Sequence, residues 1–167
     1  MKFPTSSKSE IKLTPFGSRA LRKVVKTTQE TLEEWIPKLK KGKAENPFFK
    51  VQIIAKELNN TFAQTWVENG VAYVEFDCDF LDTAPIAEII HTAIHEACHL
   101  IDDYLNKLRY NKRGGLMMHD KVWRDITEIV SGHRMTSTSD CCQGFVIGRI
   151  AIERMEKRKK QRKSSIG

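Results

Sequence analysis

Long hydrophobic runs are absent from this chain of 167 residues. No apolar segment approaches the roughly 20 residues that a membrane-spanning helix requires. The opening stretch MKFPTSSKSEIKLTPFGS lacks the apolar core of a secretory signal, because a single early lysine is followed by polar and proline-interrupted sequence. Apolar residues make up 40% and charged residues 29% of the chain, as in ordinary globular domains. We therefore expect one domain without a membrane partner, in the cytoplasm or in another intracellular compartment such as the nucleoid or nucleus.

Cysteine is scarce and irregularly spaced. Two of the four cysteines, Cys141 and Cys142, are adjacent, and no Cys-x-x-Cys pair occurs. This pattern argues against a disulfide framework and predicts reduced thiols. It also excludes a zinc knuckle built on paired cysteines, so a zinc ion in this protein would need histidine ligands.

Positive charge is concentrated near the C-terminal end. The net charge of the chain is +7, and residues 154–163 contain seven basic residues and one acidic residue, which leaves about +1 for the remainder. A cationic run of this kind is typical of a solvated tail or of a surface that binds DNA or RNA through counterion release. The residues of this candidate nucleic-acid contact are Arg154, Lys157, Arg158, Lys159, Lys160, Arg162 and Lys163.

The N-terminal part of the chain predicts an irregular lead followed by two helices. Prolines and a glycine interrupt residues 1–17, and Ser18 is a candidate N-cap. Apolar residues then recur at helical spacing over residues 21–39. A second helix is expected to open at Asn46-Pro47, with the proline in its first turn. Its buried face would consist of Phe48, Val51, Ala55, Leu58 and Phe62.

A hairpin is predicted next, because Asn69-Gly70 is flanked by aromatic and β-branched residues. Asn-Gly readily forms a type I′ turn, so Gln64–Glu68 and Val71–Phe80 should pair antiparallel. Helices should follow over residues 82–105 and 120–130, and from about Gly144 onward. The predicted fold is α+β, mainly helical with a small sheet or hairpin. Its parts are a lead over residues 1–17, one domain over 18–150 and a basic tail over 151–167.

The helix expected over residues 82–105 contains the sequence HEACH. His95 and His99 differ by four residues, so their side chains project from adjacent turns of one face and can reach a single ion. Glu96 is offset by one residue and can address a water molecule at that ion without being a ligand. Isoleucine and alanine surround these residues, which indicates a helix buried in the core, where imidazoles need partners. The stretch therefore predicts a metal site with an adjacent carboxylate base.

A zinc site needs a third protein ligand, for which several residues are candidates. His91 lies one turn before His95, but three ligands along one straight helix span about 12 Å and cannot converge on one ion. His119 follows a Gly-Gly break and starts another predicted helix, which lets the chain return to the site. His133 lies in a glycine-containing loop and is an alternative. Acidic residues near the motif in sequence are Glu88, Asp102 and Asp103.

A family resemblance rests on these residues. His95-Glu96-x-x-His99, with His119 20 residues later and Trp123 four residues after it, resembles the SprT-like zinc metalloprotease domain, the group that includes the Spartan-type proteases. The resemblance implies a zincin-like α+β fold with a central His-Glu-x-x-His helix. It also implies that the three histidines bind one zinc ion (Zn2+) and that Glu96 is the catalytic base.

The resemblance extends from about Phe48 to Val130. It includes a helix carrying Asn59 or Asn60, a β segment, the histidine helix, a glycine-containing loop and the third-ligand helix. Asp120 stands where the family commonly has glycine, and the cysteine-rich zinc ribbon of many members is missing. We therefore expect a compact or divergent member.

The implied activity is metal-assisted hydrolysis of peptide bonds in a protein substrate. Glu96 would accept a proton from water and deliver it to the leaving amine. The substrate is expected to lie extended along the hairpin strand at residues 71–80, and the basic tail would hold the enzyme on DNA-associated proteins. The candidate oxyanion stabilisers are Arg109, Tyr110 and Arg113.

Two other classes of function fit the same sequence. A non-enzymatic nucleic-acid-binding module with a structural zinc ion would close the fourth metal position with a protein group such as His91 or His133. A metal-free helical interaction protein with a basic tail would bind no zinc.

Overall fold

The computed structural model describes residues 1–136 and 148–166. Within these residues the fold is α+β, with five helices and a four-stranded mixed sheet, which confirms the α+β class. The elements are β1 (Thr5–Ser9), α1 (Pro15–Leu39), β2 (Lys50–Lys56), β3 (Ala63–Glu68), β4 (Val71–Asp77), α2 (Cys78–Thr83), α3 (Ile86–Leu105), α4 (Lys121–Ser131) and α5 (Gly148–Ile166). Cys141, Cys142 and the expected start of the last helix at Gly144 lie outside the described residues.

The strand order in the sheet is β1-β2-β4-β3. β1 and β2 are parallel and are joined by α1, β4 is parallel to β2, and β3 and β4 form an antiparallel hairpin. The predicted type I′ turn is confirmed, because Asn69 and Gly70 have φ angles of 51° and 74°. β4 ends at Asp77, which caps α2 by accepting a hydrogen bond from the Phe80 N–H at 3.0 Å. The expectation that the strand continues to Phe80 is therefore wrong.

The N-terminal lead is not irregular throughout. Thr5–Ser9 pairs with β2 as a parallel edge strand, with Thr5 opposite Val51. Four of its five residues are exposed, so no apolar alternation marks it in the sequence. The following helix begins at Pro15, and its N-cap is Thr14 rather than Ser18, since the Thr14 hydroxyl accepts a hydrogen bond from the Gly17 N–H at 3.0 Å.

The prediction of a helix that opens at Asn46-Pro47 is wrong, because residues 50–56 form β2. β2 lies between two parallel neighbours, and such interior strands read as apolar runs without alternation. Of the side chains that suggested a helical face, Phe62 is partly buried and the other four are buried, all of them in strands and loops. Asn59 and Asn60 lie in the connection after β2, so the expected asparagine-bearing helix is also wrong.

One hydrophobic core joins the helices to the sheet. α1 packs along α3 and contacts β1, whereas α3 contacts β3 and α4. Phe3, Phe48 and Tyr104 pack at ring-centroid distances of 5.1 to 5.6 Å and close one end of the core. Among the described residues, no helix combines the length and apolar content needed to cross a membrane. These contacts bury α3 against α1 and the sheet. α3 carries His95 and His99.

Candidate metal centre

Two histidines come from the most deeply buried helix of the fold. α3 begins after Pro85 and carries apolar residues on most of its surface, so nearly all of its middle section is buried. His95 and His99 are 1% and 7% exposed, and Glu96 is 3% exposed. Burial of three polar side chains costs free energy unless they have partners, which indicates that they serve a site.

The third histidine returns to α3 through a tight loop. A backbone bridge pairs Tyr110 with Leu116, and the Asn111 N–H donates to the Gly115 carbonyl at 2.7 Å. The chain then reaches His119 immediately before α4. His119 has a φ angle of 56°, a left-handed conformation that costs free energy in a residue other than glycine. The surrounding structure must therefore hold this residue in place.

The three Nε2 atoms of His95, His99 and His119 converge. They lie 3.3 Å apart for His95 and His99, 3.1 Å for His95 and His119, and 3.0 Å for His99 and His119. A metal ion bound by imidazole nitrogens at 2.0–2.1 Å in tetrahedral geometry places those nitrogens about 3.3 Å apart. The cluster can therefore hold a metal ion.

Hydrogen bonding among the three rings alone cannot satisfy this arrangement. Each Nε2 atom carries either a hydrogen or a lone pair, so at least two of the three nitrogens are of the same kind. At least one of the three contacts therefore pairs two donors or two acceptors. A cation at the centre removes this conflict, because every nitrogen can direct a lone pair toward it.

The Trp123 indole packs against the rings of all three histidines. The indole is fully buried and lies 4.5 to 4.7 Å from each imidazole centroid, nearly parallel to His99 and steeply inclined to the other two. This packing restricts the rotamers of the histidines. The aromatic residue four positions after His119 therefore shapes the cluster.

Burial also sets the protonation of the site. The pKa of His99 is lowered well below its ordinary value by burial and by the neighbouring His95 and His119, which favours the neutral form that binds metals. Burial raises the pKa of Glu96 to about 8. One oxygen of Glu96 lies 4.0 Å from the His95 Nε2 atom, so this carboxyl is adjacent to the cluster without belonging to it. A cation held by the histidines would lower the pKa of Glu96 again.

Arg109 connects the loop to α3, which carries His95 and His99, and to the N-cap of α4, which follows His119. Its guanidinium donates to Asp102 of α3 at 2.7 and 3.2 Å and to Asp120 at 2.6 and 2.9 Å. Asp120 also accepts a hydrogen bond from the Trp123 N–H at 3.1 Å and so caps α4. The guanidinium holds the pKa of Asp120 below its ordinary value. These contacts fix the backbone on both sides of His119 relative to α3.

This network was not predicted from the sequence. Arg109 was expected as an oxyanion stabiliser, but its guanidinium is bound by two carboxylates. The network explains the aspartate at position 120, because a glycine there could neither cap α4 nor bind Arg109. The sequence signal for the capping role of Asp120 was its position directly before an amphipathic helix. The other two candidates, Tyr110 and Arg113, are exposed in the loop.

The alternative ligands lie outside the cluster. The ring centroids of His91 and His133 lie 6.5 Å apart in an edge-to-face arrangement, and neither residue belongs to the group that could hold an ion. The Glu88 carboxylate is buried without a hydrogen-bond partner in the described part of the chain. Among residues 1–136 and 148–166, His95, His99 and His119 form the group whose ligand atoms lie close enough together to hold a metal ion.

The sheet edge beside the cluster is β3. β4 pairs with β2 on one side and β3 on the other, so the expectation that a substrate extends along residues 71–80 is wrong. Thr65 of β3 lines a narrow crevice together with His99 and the C-terminal turns of α3. An extended chain can reach the site along β3, whose outer edge has no strand partner among the described residues.

The basic tail is a helix that packs against α2 and keeps residues 160–166 exposed to solvent. Arg158 of α5 donates to the Asp77 carboxylate at 2.7 Å, to the Leu58 carbonyl at 3.0 Å, and to Asp79. The other basic residues that bind within the chain are Arg154, Lys159 and Arg162. The exposed ones without a described ion pair are Lys157, Lys160 and Lys163. Four of the seven expected nucleic-acid contacts are therefore engaged in the fold.

Comparisons of the chain with protein-family models, with curated proteins and with solved structures give no match.

Proposed function

We propose that this protein is a zinc-dependent metalloendopeptidase with a zincin-like fold of the SprT-like type. The observation that carries the proposal is the convergence of three buried histidine Nε2 atoms within 3.0 to 3.3 Å, with Glu96 4.0 Å from one of them. Three protein ligands and a nearby carboxylate are the composition of hydrolytic zinc sites.

The donor set favours zinc over other common ions. Calcium and magnesium prefer oxygen ligands, whereas neutral imidazole suits zinc and neighbouring transition metals. Among the described residues, three ligands leave a coordination position open, which a structural zinc site would close with a fourth protein group. The expected closing groups, His91 and His133, do not join the cluster. This geometry supports a catalytic over a structural ion.

The residues of the chain would divide the reaction between them. His95, His99 and His119 would hold the ion, which supplies Lewis acidity toward water and toward the peptide carbonyl. Glu96 accepts the proton of the attacking water and returns it to the amine as the peptide bond breaks. The burial of Glu96 next to His95 limits competing solvent.

The substrate is proposed to be a polypeptide that lies along β3. An extended peptide can add to an open strand through main-chain hydrogen bonds, which bind without regard to side-chain identity. Thr65 and His99 border the same crevice, so a chain on this edge passes the metal cluster. Arg109 also lines this crevice, and it acts as a positioning residue because Asp102 and Asp120 bind its guanidinium and so hold His119 relative to α3.

The test compares wild type with Glu96→Gln and His133→Ala after loading with zinc. We expect one zinc ion per chain in all three. Wild type and His133→Ala should cleave casein, whereas Glu96→Gln should be slower by a factor of about 100 to 10,000. Equal cleavage by wild type and Glu96→Gln would falsify the proposed mechanism. One bound zinc ion without cleavage by wild type would favour the structural-zinc alternative.

A second candidate function is binding of DNA or RNA, which would bring the peptidase to DNA-associated proteins. It is favoured by Lys157, Lys160 and Lys163, which lie exposed along α5. A groove of about 570 Å³ on α1 adds four further cations with no acidic residue in its lining. Its basic residues are Arg19, Arg22, Lys23 and Lys26. Fluorescence anisotropy with labelled DNA at 50 and 200 mM salt tests this function, since binding through phosphates must weaken with salt. Affinity that does not change between the two salt concentrations would contradict it.

A further inference from the structure

Large apolar side chains are exposed in the loop between the second and third histidines. We call residues 108–118 the apolar loop. Its exposed members are Leu108, Tyr110, Leu116, Met117 and Met118, with exposed fractions between 40% and 59%. Single exposed apolar residues are ordinary on protein surfaces, but a cluster of them indicates a binding surface.

The fold does not require these side chains. The loop is held by its backbone, since Tyr110 pairs with Leu116 and the Met117 N–H donates to the Arg109 carbonyl at 2.8 Å. Arg109 further anchors the loop through its two carboxylates. An ordered loop that keeps apolar side chains in water forgoes the free energy of burying them. Such a surface gains that free energy when another molecule covers it.

The apolar loop borders the metal cluster. Met118 directly precedes His119, and Leu116, Met117 and Met118 line the crevice that also contains His99 and Thr65. The crevice holds only about 30 Å³, which is space for about one water molecule. A large side chain must therefore lie across the exposed faces of the two methionines rather than inside the crevice.

We propose that the apolar loop is a substrate subsite that binds an apolar side chain close to the scissile peptide bond. This proposal rests on the proposed function and adds the substrate class, which is polypeptide with exposed apolar residues, such as an unfolded segment. A chain extended along β3 directs alternate side chains to opposite faces, so one set can face the loop. The unbranched methionines can adapt to several apolar shapes, which predicts a broad preference instead of one specific residue.

The experiment uses zinc-loaded protein and two quenched fluorescent peptides that differ at one position near the cleaved bond, leucine in one and serine in the other. The double variant Met117→Ser/Met118→Ser is compared with Ile129→Ser, which removes an equally exposed apolar residue from α4. We expect the double variant to lower kcat/KM for the leucine peptide about 10-fold and for the serine peptide less than twofold. Ile129→Ser should leave both values unchanged, and zinc content should be the same in all proteins.

Equal losses for the two peptides, or no loss for either, would overturn the subsite. So would a wild-type dimer that the double variant converts to monomers in sedimentation, because the loop would then be an interface between copies. Binding of both peptides to Glu96→Gln, measured by anisotropy, separates this proposal from the peptidase activity. If the leucine peptide binds more tightly than the serine peptide, and the two methionine substitutions abolish this difference, the subsite is supported even if wild type cleaves neither peptide.

Discussion

Two arginines in this protein each bind a pair of aspartates, and the two networks have different consequences. Arg109 joins Asp102 to Asp120 and so fixes the position of His119 beside α3. Arg158 joins α5 to the acidic residues that begin α2. The first arginine lies in the loop between His99 and His119, whereas the second lies in the most basic segment of the chain.

The comparison shows that basic residues close together in the sequence do not all belong to one exposed cationic surface. In α5, Arg158 is largely buried and its partner Asp77 is fully buried, so part of the basic segment serves the fold. In the loop, a single arginine organises the candidate metal centre. The same ion-pair chemistry therefore builds a site in one region and attaches a helix in the other.

Loss of a ligand should have the largest effect. His119→Ala removes one of three converging nitrogens, and we expect zinc affinity to fall at least about 1,000-fold, because two histidines do not complete a protein zinc site. Chelator competition measures this, with His133→Ala as the matched control. Retained affinity in His119→Ala would mean that the ion is held elsewhere.

Substitution of Arg158 should have the next largest effect, on stability rather than metal binding. Arg158→Met leaves Asp77 buried without its charged partner, which should lower the free energy of unfolding by about 3 kcal/mol. Zinc affinity should not change. Urea unfolding checks the first expectation, and Lys160→Met is the control for a lost cation on the same helix. A stability equal to wild type would show that α5 is not anchored by this pair.

The corresponding change at Arg109 should act on the metal. Arg109→Met should weaken zinc binding about 10- to 100-fold, the usual effect of removing a partner that orients ligands. Arg113→Met, in the exposed part of the same loop, should bind zinc as wild type does. If Arg109→Met instead lost stability with unchanged zinc affinity, Arg109 would serve the fold as Arg158 does and would not position the metal ligands.

The pH dependence of Arg158→Met follows from Asp77. Burial raises the pKa of Asp77 above 3.8, and Arg158 and two backbone N–H groups oppose this shift. Loss of Arg158 raises the pKa of Asp77 further. Between pH 3.8 and this raised pKa, the folded variant therefore binds more protons than the unfolded chain. The stability of the variant must fall as pH rises through this range. The deficit relative to wild type should be larger at pH 7 than at pH 4.5 in thermal unfolding, and a deficit independent of pH would contradict the assignment.

The smallest effect on stability is expected for the exposed lysines of α5. Replacement of Lys157, Lys160 and Lys163 by serine should change the free energy of unfolding by less than about 0.5 kcal/mol for each site. If α5 contacts DNA, the same triple variant should bind DNA more weakly and with a lower salt dependence. Unchanged DNA affinity would leave α1 as the cationic surface to test.

Features with local signals could be predicted from the sequence. Asn69-Gly70 predicts its hairpin because few other residue pairs adopt both positive φ angles, and α3 and α4 show helical spacing. The histidines at positions 95 and 99 follow from the geometry of one helix. The return of His119 to the cluster was predicted only with the family resemblance.

Features that depend on distant partners could not be predicted. β1 is polar and becomes a strand only through its pairing with β2, whose own apolar residues fit a helix equally well in isolation. Arg109 acquires its role from residues 7 and 11 positions away that a loop brings together. The attachment of α5 involves residues about 80 positions earlier. Each of these depends on the folded backbone, which local sequence patterns do not contain.

The short strand β1 gives the sheet a polar edge, since four of its five residues are exposed. It covers one edge of β2, whose sequence VQIIA at residues 51–55 has high β propensity and no charge. Phe3 anchors the strand from the core, and its N–H donates to Glu33 of α1 at 3.0 Å. Removal of residues 1–9 would open this edge as a template for strand addition between molecules. The polar strand that was hardest to recognise thus keeps an apolar, uncharged strand in the interior of the sheet.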